Sequence, residues 1–155
     1  MSEILSLKQN NSKVLSSRNV GEIGEKLAAE YLRKKGYRIV MANFKVPVGR
    51  IRGISVSGEI DLIALDEGVL CFIEVKTRGS DEFASPLAAI DLRKQRQIIR
   101  AAKVYRKIYQ LTKIGFRYDA VSIILRENAR PEIELVKNFW TEAKFQKNSW
   151  SEEIR

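Results

Sequence analysis

Between Gly58 and Arg78, in GEIDLIALDEGVLCFIEVKTR, the chain sets Glu59, Asp61, Glu74 and Lys76 into runs that otherwise read as buried β-structure. Ile60, Leu62 and Ile63 precede the turn signal Asp66, Glu67, Gly68, and Val69 to Val75 is rich in β-branched and aromatic residues. A loop of two or four residues centred between Glu67 and Gly68 sets Asp61 opposite Glu74 and Glu59 opposite Lys76. Opposed residues share a face, with Cβ atoms about 4.5–5.5 Å apart. An Asp and a Glu so placed repel each other unless a positive group lies between them, and a divalent cation or Lys76 fits that place. A loop one residue longer or shorter would put Asp61 and Glu74 on opposite faces, so the chemistry depends on register.

The elements around this hairpin must position it. Val20, Ile23, Leu27, Ala28, Tyr31 and Leu32 form a helical stripe over about Asn19 to Lys35, closed by Gly36. Glu25 borders that stripe beside Gly21, Gly24 and Ala28, and such small neighbours let another backbone or a phosphate come close. Two glycines in a helix cost about 1 kcal/mol each relative to Ala, a cost that usually has a packing or functional reason. Tyr37 to Phe44 reads as a short strand. Lys45 to Ser57, with Pro47, Gly49 and Gly53 and the basic Arg50 and Arg52, reads as a hairpin-like excursion or a loop able to grip a phosphate backbone.

Beyond the hairpin, Pro86 is placed to start a long helix reaching about Leu111, with Leu87, Ile90, Ile98, Ala101, Tyr105 and Ile108 as its buried stripe. Lys94 falls on that stripe with Gln97 beside it, and either snorkels to the surface or reaches the carboxylates of the hairpin. Arg93, Arg96, Arg100, Lys103 and Lys107 make a continuous basic stripe on the other side, suited to phosphates. Phe116–Leu125 and Glu132–Val136 are further strands, with Phe139 and Trp140 packing back on the core. The order α-β-β-β-α-β-β gives an α/β class, a mixed β-sheet flanked by helices. Residues 1–17 read as a flexible leader, 18–140 as the domain, and 141–155 as a terminal helix or tail.

Composition narrows the chemistry. In 155 residues there are 28 Lys and Arg against 19 Asp and Glu, a formal charge of +9, which favours polyanionic partners. The chain has 0 His, so imidazole proton shuttles, His-based triads and His-liganded zinc are excluded, leaving carboxylates, lysine or an oxygen-held metal. The single Cys71 lies in the second arm of the hairpin and reads as a small buried apolar residue in a reducing compartment. No apolar run approaches the roughly 18 residues of a membrane span, so a soluble cytoplasmic protein is expected.

GEIGEKLAAEYLRKKGYRIVMANF, then GEIDLIA, FIEVKTR, the Pro86–Lys94 segment and RYDAV resemble the YraN-like bacterial family. That family is similar to archaeal Holliday junction resolvases of the PD-(D/E)xK nuclease superfamily. The resemblance covers about Val20 to Ile124. It implies a restriction-endonuclease-like fold, Asp61 and Glu74 as Mg²⁺ or Mn²⁺ ligands with the Val75 carbonyl as a third, Lys76 beside the attacking water, and Glu25 in the place of the resolvases' helical glutamate. A resolvase must cut two strands, so the resemblance also implies a homodimer. Val46 to Ser57 is longer than the family's usual link before GEIDL.

The residues support that chemistry independently. Phosphodiester hydrolysis requires a nucleophile from water and neutralisation of phosphoryl charge, and magnesium held by one or two carboxylates and waters provides both. Lys76 would stabilise hydroxide or the transition-state charge. Glu59 would pair with Lys76 or orient a metal-bound water, and Lys94 and Gln97 would stand behind the ligands. The expectation is a metal-dependent endonuclease acting on structured or branched DNA; the alternative is a non-catalytic nucleic-acid-binding module that retains the nuclease fold.

Overall fold

The structure, a computed structural model, describes residues 17–79 and 84–145. Helix α1 spans Ser17–Lys34 and is followed by strands β1 (Arg38–Ile51), β2 (Ile54–Asp66) and β3 (Val69–Gly79), helix α2 (Leu92–Ile108), and strands β4 (Phe116–Leu125) and β5 (Glu132–Trp140). The strands form one sheet in the order β1-β2-β3-β4-β5, antiparallel except for the parallel pair β3 and β4. This is the expected α-β-β-β-α-β-β order on a mixed sheet. The leader, the 80–83 segment and most of the 141–155 tail lie outside the described residues, and no helix among the described residues is long and apolar enough to cross a membrane.

Among the described residues, helix α2 packs on one face of the sheet and helix α1 on the other. Ile60, Ile63, Leu70, Phe72 and Tyr118 bury against Ile98, Ala101, Ala102 and Tyr105 of α2, with Trp140 stacked on Tyr118 at 5.2 Å. On the reverse face Leu62, Ala64, Cys71, Ile73, Val121 and Ile123 bury against Ala28 and Leu32 of α1. Burial pushes the Cys71 thiol up to about 12, so it stays protonated inside the core. Helix α1 ends in a Schellman turn: the Tyr37 amide donates to the Leu32 carbonyl and the Gly36 amide to that of Arg33, with Gly36 at φ 94°.

Three elements differ from the sequence reading. The first strand does not stop at Phe44. It runs through Pro47 to Ile51, because β1 is an edge strand, where a missing amide is tolerated, and a bulge at Pro47/Gly49 absorbs the irregularity. The Lys45–Ser57 segment is therefore the distal half of a β1–β2 hairpin, turning at Arg52 and Gly53 (φ 52° and 80°). The second helix is broken: Pro86–Ala89 is a 3₁₀ turn, and α2 begins afresh after Asp91, whose carboxylate accepts from the Lys94 amide at 2.9 Å. Ile108, expected in the buried stripe, is 57% exposed because α2 ends there. Finally β5 is longer than Glu132–Val136 and carries Trp140 into the core.

Candidate active site

The β2–β3 turn is Glu67–Gly68, with φ 48° and 83°, so its twist matches that of the strands it joins. The ladder runs from Asp66↔Val69 to Leu62↔Ile73, and carried one step further this register sets Asp61 opposite Glu74. The two strands part at that step. β3 goes on pairing with β4 as far as Gly79↔Leu125, and β2 with β1 out to Ile51↔Ile54. In the parting the Val75 amide donates to Asp61 Oδ2 at 2.8 Å. The carbonyl of a strand residue points to the same side as its amide, so the Val75 oxygen faces the parting too.

The inside–outside alternation is reset here. Along β3, Leu70 and Phe72 lie under α2, Cys71, Ile73 and Val75 under α1, and Glu74 continues the α2 row. On β2, Ile60 lies under α2 and Leu62 under α1, although residues two apart in a regular strand share a face. Across from Asp61, between the pairs Ala42↔Leu62 and Phe44↔Ile60, Asn43 has φ 53°. The slip leaves the Asp61 side chain in the gap between strands, where groups from both faces reach it.

From one side comes Glu25. Gly24 is buried against Thr77 of β3, and a Cβ there would lie 1.8 Å from Thr77 Oγ1, so only glycine lets α1 approach this strand. The next residue, Glu25, then lies in the field of Asp61 and Glu59 and accepts a hydrogen bond from the Asn43 side chain. Burial first, and the Asp61 charge second, raise the Glu25 pKa. From the other side comes Lys94, at 3.6 Å from Glu74 Oε1, while Lys76 lies 3.4 Å from the same oxygen.

Glu74 is 2% exposed. Burial and the neighbouring Asp61 charge push its carboxyl up to about 8, against the opposing pull of Lys94 and Lys76. Asp61 is also raised, by burial above all, with the Val75 amide opposing. Glu74 Oε2 is buried and accepts from no donor among the described residues, while the Glu74 carboxyl, when it holds a proton, hydrogen-bonds Asp61, which raises the Glu74 pKa and lowers that of Asp61. Two carboxylates held together, one oxygen without a donor and a backbone carbonyl alongside make a donor set that a hard divalent cation fits. Among the described residues no group of three or more Asp, Glu or Cys side chains converges, so such an ion would complete its shell with the carbonyl and water.

The remaining sequence candidates divide. Glu59 is laddered to Lys45, and Lys76 pairs with Glu74, so the expected Glu59–Lys76 ion pair is not among the ion pairs of the described residues; Glu59 acts on Glu25 and Asp61 through its charge. Gln97 backs the hairpin through its main chain, its carbonyl standing 2.9 Å from where a Gly58 Cβ would be. Arg50 and Arg52 are exposed at the tip of the β1–β2 hairpin, and Arg93, Arg96, Arg100, Lys103 and Lys107 are exposed along α2. Arg96 lies over the Phe145 ring at 5.2 Å. An open groove of about 610 Å³ between α1 and β1, lined in part by Glu25, Asn43 and Leu62, adjoins the site. Sequence reasoning missed Asn43 and Thr77. An asparagine inside a strand pattern, tolerant of positive φ, was the available signal for the first.

Residues 24–123 match the model described as Uncharacterised protein family UPF0102. The chain belongs to this family. The matched span runs from Gly24 to Ile123 and so contains Glu25, Asn43, Asp61, Glu74, Lys76 and Lys94. A UPF0102 protein of Caldanaerobacter subterraneus subsp. tengcongensis is 41% identical over 113 residues, 73% of this chain and 85% of that protein. Another, of Trichlorobacter lovleyi, is 39% identical over 120 residues, 77% of this chain and 87% of that one. Among solved structures the chain is similar to the crystal structure of SSO0001, at 14% identity and a TM-score of 0.39, covering 99% of this chain and 66% of that one.

Proposed function

We propose that this UPF0102 protein is a metal-dependent endonuclease that hydrolyses phosphodiester bonds in structured or branched DNA. The observation that carries the reading is the Asp61–Glu74 pair: Glu74 buried and Asp61 half-buried, both raised in pKa, with one Glu74 oxygen that accepts from no donor among the described residues. Nothing in packing requires acids there, and uncompensated buried charge costs several kcal/mol per ion even after relaxation.

Asp61, Glu74 and the Val75 carbonyl would hold Mg²⁺ or Mn²⁺, which when bound neutralises phosphoryl charge and makes water more acidic. The Val75 amide fixes Asp61 so that its carboxylate needs no reorientation. Lys76, partly exposed and now spent on Glu74, is free to turn to the charge that develops on the phosphoryl oxygens once Glu74 is otherwise neutralised. Lys94 restrains Glu74 from the opposite element. Glu25, raised in pKa and reached by solvent from the adjoining groove, is placed to take or give a proton at water. The exposed arginines and lysines of α2 and of the hairpin tip would hold the DNA backbone, and a homodimer would bring one site to each of two strands.

A specific observation favours a second reading. Both lysines already bond Glu74, as they would if they stood in for a cation in a module that binds nucleic acid without cutting it. Incubation with duplex, single-stranded and four-way junction DNA in Mg²⁺, Mn²⁺ and EDTA separates the two. Nuclease action requires cleavage that EDTA, Asp61→Ala and Lys76→Ala each abolish. Salt-sensitive binding with no cleavage in either metal would establish the module instead.

A further inference from the structure

The β1–β2 hairpin outruns the rest of the sheet. The β2–β3 ladder ends at Leu62↔Ile73, whereas β1 and β2 stay paired out to Ile51↔Ile54, so the distal hairpin is a two-stranded ribbon. Gly58, Val56 and Ile54 lie two residues apart on one face of it. Gly58 is buried under α2, where a Cβ would stand 2.9 Å from the Gln97 carbonyl and 3.0 Å from Ala101 Cβ, and Val56 is half-buried. Ile54 is 71% exposed, more than any other large apolar residue among those described, and Ile51, its ladder partner on the same face, is 53% exposed. The two-residue turn between them, Arg52–Gly53 with φ 52° and 80°, follows the twist of the strands and holds the pair side by side.

Single exposed aliphatics are ordinary, but two set together at the tip of a ribbon mark a contact surface. Their neighbours say with what. Arg50 and Arg52 are exposed on either side of Ile51, and no acid interrupts the chain from Lys45 to Gly58, so the apolar pair sits in a cationic frame. A second copy of this tip would be repelled, whereas a polyanion would be drawn in. The largest apolar surfaces of DNA are the faces of its bases, covered in a continuous stack and open where the stack is broken, and isoleucine is among the side chains that wedge between base steps. We infer that Ile51 and Ile54 form a wedge that enters DNA at an interrupted base stack, with Arg50 and Arg52 on the flanking phosphates. This rests on the nucleic-acid binding common to both readings above and deepens it, because it names the feature of branched DNA that is recognised: an opened step rather than a sequence. The wedge lies on the α2 side of the sheet, and no more than about 23 Å of β2 separates Ile54 from Asp61, so one DNA molecule can meet both.

The test uses the full chain in EDTA, with a four-way junction carrying 2-aminopurine at the branch point and an intact duplex carrying it at an internal step. Wild type should bind the junction about tenfold more tightly than the duplex and raise the junction probe's fluorescence as the step opens. Ile51→Thr/Ile54→Thr keeps the β-branching and the charge but not the apolar wedge. It should lose the fluorescence rise and most of the preference, while duplex affinity, salt slope and melting temperature stay those of wild type. Ile51→Leu/Ile54→Leu should retain both junction signals. Arg50→Gln/Arg52→Gln should instead reduce the slope of log K against log salt by about 1.8 on either DNA, two phosphates' worth. A wild type without junction preference or fluorescence rise would overturn the assignment, as would Ile51→Thr/Ile54→Thr keeping both or losing junction and duplex affinity alike. A wild-type dimer that this variant breaks in sedimentation would give the tip to a second copy and overturn it too. Failure of the nuclease reading looks different: no cleavage in any metal, with the junction preference and its dependence on Ile51 and Ile54 intact.

Discussion

Asp66 and Asp119 beside the β2–β3 turn, and Asp61 and Glu74 where those strands part, are two pairs of acids set into one small sheet with different company. At the turn, Arg117 donates to Asp66 Oδ2 at 2.6 Å, to both Asp119 oxygens at 2.9 and 3.0 Å, and to the Tyr37 hydroxyl at 2.8 Å. Lys137 adds a bond to Asp66 at 3.2 Å, and the Asn138 amide donates to Asp119 at 2.9 Å. The Arg117 hydrogen bond holds the Asp66 carboxyl below the usual carboxylate range. At the parting, two lysines share one oxygen of Glu74 at 3.4 and 3.6 Å, its other oxygen accepts from no donor among the described residues, and the Glu74 and Asp61 pKa values are raised. Burial alone does not distinguish the clusters, since Asp119 is 0% and Glu74 2% exposed. The balance of donors does. A satisfied network holds strands together, whereas an unsatisfied one costs stability and is retained where a ligand supplies the missing charge.

The comparison breaks first at Asp119. Asp119→Ala removes the buried acceptor of the half-buried Arg117 and should cost about 3 kcal/mol in urea unfolding. A loss under about 1 kcal/mol would mean that the turn cluster is not a structural network. Gly24→Ala comes next: a methyl 1.8 Å from Thr77 Oγ1 must push α1 off β3, costing about 1–3 kcal/mol and displacing Glu25 from Asp61, so cleavage should fall more than stability explains. Glu74→Gln should act in the opposite sense to Asp119→Ala. It removes charge that burial disfavours, leaving stability unchanged or up to about 2 kcal/mol higher while abolishing cleavage.

The two clusters also predict opposite pH responses. Glu74 has a folded pKa raised to about 8 from 4.5, so between those values the folded state holds a proton that the unfolded state has released, and stability falls as pH rises. The wild-type melting temperature should therefore decline from about pH 5 to about pH 8, and Glu74→Gln should flatten that decline. Asp66 is depressed, so its contribution is present above its ordinary value of 3.8 and is lost as pH falls through the lower folded value. A small acid-side loss that Glu74→Gln leaves in place belongs to it.

How much of this could be read from sequence follows the range of the interaction. The register of Asp61 against Glu74 depends on a local turn, and Gly68 at positive φ marks that turn. The fold order was likewise legible from periodicity and glycine stops such as Gly36. The break before α2 was not, because Ile90 and Ile98 keep helical spacing across Asp91, and only the capping geometry shows that Asp91 ends one element and begins the next. Pro47 suggested the end of a strand until β1 proved to be an edge. The Arg117 cluster was hidden because its partners come from positions 37, 66, 119, 137 and 138, brought together only by the sheet. Asn43 was missed for the same reason: its role depends on Asp61 across the ladder and Glu25 across the helix packing.

The measurement that bears most directly on the central claim is calorimetric titration of Mn²⁺ into the wild-type protein and into Glu74→Gln at pH 8. The account predicts one saturable site in the wild type, accompanied by a rise in melting temperature, and loss of both in Glu74→Gln. Equal binding by the two proteins, or none by the wild type, would contradict it.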